Sequence, residues 1–206
     1  MAGDSQSTEL KIKEAAVKVF LSKGFDGATT RAIAQEVGMN LALVNYYFRS
    51  KEKLFTAIFE EMIQLFMEGM VEVFNRPMGL KEKICALIDH DFEMFKNHPD
   101  LVIFVLSEVH RNPERFFKLI QVGAMKSVFE KNSLLDQQFR QAIDLGLIRP
   151  INPDNAVFMI TSSMHMLFTG KKLIMQMNEM DESQYEEFAN QQKEITKDMI
   201  LRYLFV

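Results

Sequence analysis

The run from Thr30 to Phe48 constrains the fold of this chain more than any other segment. Two short helices that cross steeply need a small residue where their backbones approach, and Ala34 fits that place. The turn between them needs a residue that tolerates positive φ, and Gly38 follows at the right distance. Val44 then fits the inward anchor of the second helix. This spacing predicts a helix-turn-helix unit.

The outward face of the second predicted helix consists of residues that suit the major groove of DNA. Asn45 has the amide geometry for a bidentate contact with adenine, and Leu41 and Ala42 are suited to press on a thymine methyl group. The predicted base-reading residues are Asn40, Leu41, Ala42, Asn45 and Tyr46. The same pattern would also fit a purely structural corner between two helices, but the complete register of inward and outward residues favours DNA binding.

A second set of residues is suited to hold phosphates, which positions a protein on DNA without reading sequence. Backbone amide groups at a helix amino end attract anions, and this favours Thr30. Lys51 lies at the start of the next predicted helix, and a tyrosine hydroxyl adds a further donor. The phosphate-binding candidates are Thr30, Tyr47 and Lys51. Thr29 is a further DNA-binding candidate, and the predicted contact region extends from Thr29 to Lys53.

The charge distribution agrees with a DNA-reading head on a body that avoids DNA. The whole chain carries a formal net charge of −4, whereas residues 1–55 hold eight Lys or Arg against six Asp or Glu. The head is therefore mildly basic and the remainder acidic. The asymmetry is modest and supports DNA binding only together with the motif.

Helical periodicity continues through the rest of the chain, and Gly and Pro fall mostly between periodic stretches. No alternating strand pair flanks a hairpin turn. The sequence predicts an all-α fold with a three-helix helix-turn-helix head at residues 1–53 and a larger helical domain at residues 54–206. The predicted helices are 7–23, 31–37, 41–48, 50–75, 80–96, 100–111, 113–121, 122–145, 154–177 and 182–204, with a linker at 148–153.

The predicted larger domain is rich in flexible apolar side chains. The chain has 18 Phe and 15 Met, most of them after residue 54. Met adapts to irregular ligands, so this composition favours an apolar or amphipathic effector over a sugar or nucleotide. The ligand-binding candidates are Phe92, Phe95, Phe104, Met125, Met164, His165 and Phe168. For each of them, a place in a closed core is the competing interpretation.

The last two predicted helices carry apolar residues at intervals of three and four, which is typical of a helix-packing seam. The final helix places Tyr185, Phe188, Gln192, Ile195, Met199 and Tyr203 in such a row, and the helix before it places Val157, Ile160, Met164, Leu167 and Ile174. A helix-turn-helix gains affinity by gripping two half-sites, so we expect a homodimer through these two helices. Packing inside one protomer is the alternative.

The motif residues also resemble a known family. The pattern Thr29-Thr30-x-x-Ile33-Ala34-x-x-x-Gly38, followed by Val44-Asn45-Tyr46-Tyr47-Phe48-x-Ser50-Lys51-x-x-Leu54, is similar to the DNA-binding head of the TetR family of bacterial transcriptional regulators. Ala15-Ala16-x-x-x-Phe20-x-x-x-Gly24-Phe25 matches the first helix of that family. The resemblance implies an all-α homodimer whose larger domain binds a small effector, and a protein that usually acts as a repressor.

Other classes of protein find little support in the sequence. An enzyme would need a nucleophile with a base, paired carboxylates, a phosphate loop or a metal set, and we find none of these. We therefore expect no enzyme activity, no cofactor and no metal. No apolar run is long enough to cross a membrane, and a single cysteine without a secretory signal favours the cytoplasm. A helical adaptor that does not bind DNA is the remaining alternative.

Overall fold

The structure is a computed structural model that describes residues 2–121 and 133–206. Its helices are α1 (Ala2–Gly27), α2 (Thr30–Val37), α3 (Leu41–Phe48), α4 (Lys51–Asn75), α5 (Leu80–Asn97), α6 (Pro99–Arg111), α7 (Pro113–Ile120), α8 (Leu134–Asp144), α9 (Pro153–Thr169), α10 (Lys171–Met177) and α11 (Glu182–Leu204). Throughout these two ranges the only extended pairing is a bridge between Ile148 and Phe205. The predicted all-α fold is confirmed.

Three predicted helices have different bounds in the structure. The helix predicted over 122–145 begins at Leu134, where the Ser133 hydroxyl accepts from the Asp136 N–H at 3.3 Å, and residues 122–132 lie outside the described residues. The helix predicted over 154–177 is broken at Gly170, which has φ −91° and ψ 4° and separates α9 from α10. Glycine has a low helix propensity, so the chain departs from helical geometry there at little cost. In α1, Gly24 adopts φ 68° and ψ 172° as expected of a stop, but helical turns continue after it to Gly27.

The chain divides into two compact units. Unit 1 consists of Met1–Leu65 and Ile103–Asn112. Its core contains an aromatic cluster in which the ring of Phe55 lies 5.0 Å from that of Phe20 and 5.0 Å from that of Phe104. Phe59 stacks on Phe55 in the same cluster. Such ring pairs add to the stability that apolar burial alone provides. The cluster therefore stabilises the core of unit 1.

Unit 2 consists of Phe66–Val102 and Pro113–Val206. Within it, α5 packs against both α9 and α11. Fully buried side chains from these helices, among them Ile84, Phe92, Met164 and Ile200, form the core. After α8, Ile148 forms an antiparallel bridge with Phe205. Next to this bridge the N–H of Arg149 donates to the Leu204 carbonyl at 2.8 Å, which holds the carboxyl end of α11 in place.

Candidate DNA-binding site

The turn between α2 and α3 has the geometry that the sequence predicts. Gly38 lies in the left-handed region at φ 70° and ψ 27°. The N–H of Met39 donates to the Ala34 carbonyl at 2.9 Å, and the N–H of Gly38 donates to the Gln35 carbonyl at 3.2 Å. Crossed bonds of this kind satisfy the last carbonyls of a helix and depend on a residue that accepts positive φ. The turn therefore ends α2 sharply and directs the chain into α3.

Both helices of the motif begin with a side-chain cap. The Thr29 hydroxyl accepts a hydrogen bond from the Ala32 N–H at 3.1 Å. Asn40 Oδ1 accepts from the Leu43 N–H at 2.7 Å. These caps satisfy amide groups that have no partner inside the helix. Thr29 and Asn40, both predicted to contact DNA, thus have a second task in starting α2 and α3.

The two residues that the sequence assigns to the inward side, Ala34 and Val44, are buried. Ile33, Ala34 and Val44 are almost inaccessible to solvent, and Val37, Met39 and Tyr47 are half-buried. Phe48, which the packing analysis did not assign, is also buried at the end of α3. The packing of the helix-turn-helix unit therefore follows the register that the sequence implies.

The exposed face of α3 is formed by Ala42 and, one helical turn later, by Asn45 and Tyr46. The Tyr46 side chain is 79% exposed, and its ring meets the Tyr47 ring edge-on at 5.5 Å. Leu41, also predicted to read bases, is half-buried. Asn40 is exposed at the amino end of the same helix. The structure thus brings the predicted base-reading residues together on one short helix.

The phosphate-binding candidates lie around this helix in different settings. Thr30 is the half-buried first residue of α2. Lys51 is half-buried, its ammonium group donates to the Phe25 carbonyl at 2.8 Å, and it lies 4.3 Å from the centre of the Phe25 ring. An ammonium group has three donors, so this bond leaves capacity for a phosphate. Lys51 therefore also joins the start of α4 to the last turn of α1.

The amino end of α4 already has an anionic neighbour. The Ser50 hydroxyl accepts from the Lys53 N–H at 3.2 Å. The pKa of the exposed Glu52 carboxyl is lowered by its own backbone N–H and then by the Ser50 hydroxyl. A carboxylate is favourable at this end of a helix. The amides of this helix end are thus shared with protein side chains.

Two basic residues that the sequence analysis left out of the candidate list are exposed beside the motif. Arg31 lies in the first turn of α2, and Arg49 follows the last residue of α3 with φ 54°. Guanidinium groups suit phosphate oxygens because they offer paired donors. Their place in the sequence, directly beside the predicted helix-turn-helix, could have identified both arginines as phosphate-binding candidates. Lys13, by contrast, is engaged by Glu9 and Glu61 within unit 1.

The ligand-binding candidates fall into three groups. Phe92, Phe95, Met164 and Phe168 are buried together in unit 2, and the Phe95 ring lies 4.9 Å from the half-buried His165 ring. Phe104 belongs to the aromatic cluster of unit 1 instead. Met125 lies outside the described residues.

Close to the aromatic ligand-binding candidates of unit 2 lies a buried carboxylate that was not among the predicted site residues. The Asp91 side chain is 1% exposed, and its Oδ1 lies 3.3 Å from His90 Nδ1. Its Oδ2 has no hydrogen-bond partner among the described residues. Burial raises the pKa of this carboxyl, an effect that His90 and then His165 partly offset. Buried charged groups are rare unless they are paired, so Asp91 marks a place of chemical interest.

These observations define a helix-turn-helix DNA-binding protein. Residues 12–58 match the family model of the bacterial regulatory proteins, tetR family. The match includes α2, α3 and the start of α4, so the helix-turn-helix head of this chain is similar to that of the TetR family, as the sequence predicted. The match supports the predicted class, a DNA-binding regulator of transcription.

Comparison with individual proteins agrees with this class. A probable HTH-type transcriptional regulator of Bacillus subtilis, YttP, is 27% identical over 150 residues, which is 70% of this chain and 70% of that protein. A TetR-family transcription regulator from Marinobacter aquaeolei has the same fold, with a TM-score of 0.72 at 17% identity over 100% of this chain and 99% of that one.

A third comparison concerns a regulator solved with a ligand. The transcriptional regulator FadR from Bacillus subtilis, in complex with stearoyl-CoA, aligns with a TM-score of 0.61 at 21% identity. The alignment covers 91% of this chain and 96% of that one, and it shows a shared fold. Separately, no helix in the described ranges has the length and apolar character needed to span a membrane.

Proposed function

We propose that this protein is an effector-responsive transcriptional repressor that binds a near-palindromic operator as a homodimer. The observation that carries the proposal is the exposed face of α3, where Ala42, Asn45 and Tyr46 follow a buried anchor, Val44. A recognition helix needs this combination, because one side must be held rigidly by the protein while the other meets base edges. The cytoplasm is the compartment in which such a protein meets its operator.

Base reading and phosphate binding are divided between different residues in this proposal. Asn45, Tyr46, Ala42, Leu41 and Asn40 meet the major groove. The phosphates are held by Thr29, Thr30, Tyr47 and Lys51, to which we now add Arg31 and Arg49. The mild positive charge of residues 1–55 supports this division.

The dimer is proposed through the last helices of unit 2. On α11, the apolar side chains of Ile195 and Met199 are 55% and 54% exposed, and Tyr203 continues the row. On α9, Phe158 and Met166 are likewise exposed. Four residues of the predicted rows, namely Ile160, Met164 and Leu167 of α9 and Tyr185 of α11, are instead buried within the protomer. Exposed apolar rows of this length are typical of surfaces that meet a second copy. The exposed rows of α9 and α11 are therefore the proposed interface.

Control by an effector is proposed through unit 2. The buried aromatic side chains around Phe95 suit a ligand with an apolar part. The relative whose structure contains stearoyl-CoA supports a ligand of this kind. Ligand binding would favour one of two head spacings, and only a difference in affinity between these states can release DNA. Because α4 contributes residues to both units, we propose it as the lever.

Selection of bound duplexes from random DNA by the full-length protein tests the DNA-binding proposal. We expect an inverted repeat with half-sites about one helical turn, or a multiple of it, apart. The variant Asn45→Ala should lose on the order of 1–3 kcal/mol of base discrimination at one position of each half-site. Asn155→Ala, an exposed asparagine of α9, is the matched control and should leave discrimination unchanged. Recovery of no preferred sequence would contradict the proposal.

Sedimentation tests the dimer independently of DNA. Ile195→Glu places a charge in the exposed row of α11 and should shift the protein toward monomer. Leu145→Glu alters an equally exposed apolar residue after α8 and should leave the wild-type oligomeric state. A monomeric wild-type protein at high micromolar concentration, with or without operator DNA, would contradict the dimer proposal.

A further inference from the structure

Asp91 and its neighbours form a polar site inside the apolar core of unit 2. We define the Asp91 cluster as Asp91, His90, His165, Phe66 and Phe95. The Phe66 ring stacks on Phe95 with centroids 5.8 Å apart and lies 6.1 Å from the His90 ring. The Phe95 ring in turn lies 4.9 Å from His165. The carboxylate is therefore accompanied by two imidazoles and two phenyl rings.

Among the residues that the structure describes, none gives this carboxylate a lysine or arginine partner. Asp89, two residues earlier on α5, has ammonium groups of Lys197 and Lys193 at 2.6 Å and 3.7 Å. In the described part of the chain, Asp91 has no lysine or arginine partner, and its Oδ2 accepts no hydrogen bond. A buried acceptor without a donor is costly, and a charged one more so. The site therefore gains from any ligand that brings a donor.

The neighbouring histidines do not remove this requirement. His90 Nδ1 faces only Oδ1, at 3.3 Å. Burial lowers the pKa of the His165 imidazole, and the attraction of Asp91 opposes this only in part. His165 is therefore mostly neutral at pH 7 and does not balance the carboxylate. A group of three metal-binding side chains does not occur in the described ranges, which leaves an organic donor as the matching partner.

We infer that the Asp91 cluster recognises an amphiphile that carries a protonated amine on an apolar body. An ammonium group supplies both the hydrogen-bond donor and the charge that Asp91 Oδ2 lacks. The faces of Phe66 and Phe95 attract a cation that has lost part of its water. The inference rests on the proposed effector function of unit 2 and names the class of ligand.

His90 is the neighbour of Asp91 through which a ligand of this class could approach the carboxylate. The His90 side chain is 19% exposed, whereas that of Asp91 is 1% exposed. Gly69 of α4 provides the space for that imidazole, since a Cβ atom at position 69 would lie 2.0 Å from His90 Nε2. Rotation of His90 away from Asp91 would free Oδ1 as well as Oδ2 for the ligand.

Calorimetric titration of the full-length protein with three matched probes tests the inference. The probes are octylammonium chloride and sodium octanoate, each below its micelle concentration, and octan-1-ol below its solubility limit in water. We expect octylammonium to bind roughly tenfold or more tightly than octanol, because a hydrogen bond to a charged group is stronger than a neutral one. Octanoate should bind most weakly, since its charge has the same sign as Asp91.

Variants assign the preference to Asp91. In Asp91→Asn the advantage of octylammonium over octanol should disappear, whereas Glu93→Gln removes the same charge from an exposed position of α5 and should keep it. Should Asp91→Asn fail to fold, as judged by circular dichroism, the order of the three probes on the wild-type protein decides. Equal or tighter binding of octanol or octanoate overturns the inference, as does absence of octylammonium binding or an undiminished advantage in Asp91→Asn.

Failure of the inference and failure of the proposed function give different results. If a neutral or anionic amphiphile binds best and releases operator DNA, the effector function stands and the ligand class is wrong. If octylammonium binds as expected but no DNA sequence is selected, the ligand class stands and the proposed repressor function is wrong.

Discussion

In the helix-turn-helix segment the polar side chains lie at the surface or cap a helix, whereas unit 2 buries a lysine and an aspartate. Thr29 and Asn40 each accept one backbone N–H and remain exposed. In unit 2, Lys83 donates to the Phe74 carbonyl at 2.6 Å, and Asp91 keeps one oxygen without a partner. The contrast teaches that the helix-turn-helix segment presents its polar groups outward, whereas unit 2 encloses a lysine and an aspartate in its core.

The largest expected effect concerns the packing of unit 1. Ile33 is fully buried in α2, so Ile33→Ala should lower the free energy of unfolding by about 2–5 kcal/mol. Ile84→Ala removes the same atoms from an equally buried place in unit 2 and should cost a similar amount. Urea unfolding followed by circular dichroism measures both.

The same pair of variants tests whether the two units have separate tasks. The affinity of Ile33→Ala for operator DNA should fall steeply at temperatures where most of the helical circular dichroism signal, which comes from the larger unit 2, is retained. An Ile33→Ala protein that still binds operator with wild-type affinity would break the comparison between the units.

The next effect concerns the buried carboxylate. Because burial raises the folded-state pKa of Asp91, folding favours the protonated form, and its contribution is lost as pH rises from about the ordinary aspartate value through the folded-state value. We expect Asp91→Asn to be stabilised relative to wild type above this window, by roughly 1–3 kcal/mol.

Urea midpoints measured between pH 4 and pH 8 check this expectation. The stability difference between Asp91→Asn and wild type should grow with pH, while Glu93→Gln, at an exposed site, should show no such trend. A pH-independent difference would show that the protein satisfies Asp91 in another way.

The third effect concerns the positive φ of Gly38 and separates its cost in stability from its role in operator binding. Gly38 and Gly146 both have positive φ, 70° and 66°, and a Cβ atom at either would meet nothing within 4 Å. Each change to alanine should therefore cost roughly 1–2 kcal/mol from the left-handed backbone alone. Only Gly38→Ala should also weaken operator binding, measured by fluorescence anisotropy. Equal loss of binding in both variants would mean that the turn has no special role.

The smallest effect sharpens the role of Lys51. Lys51→Ala removes the bond to the Phe25 carbonyl and should cost about 1 kcal/mol of stability. It should also weaken binding to all DNA sequences evenly and lower the salt dependence. Lys53→Ala, at an exposed position, should leave stability unchanged. A change in base preference for Lys51→Ala would argue against a phosphate contact.

The helix-turn-helix unit was predictable because its requirements are local. Ala34, Gly38 and Val44 each have a steric task that depends on a few neighbouring positions, and the structure buries or bends the chain at those places. The break at Gly170 was not predictable, because an isolated glycine is often tolerated inside a helix.

The polar content of unit 2 was not predictable from periodicity. Asp89, Asp91 and Glu93 look alike in the sequence, yet only Asp91 is buried. Its burial depends on how α5 packs between α9 and α11, which are distant in the chain. Phe104 likewise joins the rings of unit 1, where sequence reasoning grouped it with the rings of unit 2.

The cap on α3 has a consequence for the shape of the operator. Asn40 commits its amide oxygen to the Leu43 N–H, so only its NH2 group is available to DNA. Adenine recognition by an amide side chain uses a donor and an acceptor together. In a complex that keeps this cap, Asn40 is a donor alone and discriminates little between guanine and thymine oxygens. Each half-site should then contain one strictly required adenine, opposite Asn45, next to a position that tolerates exchange.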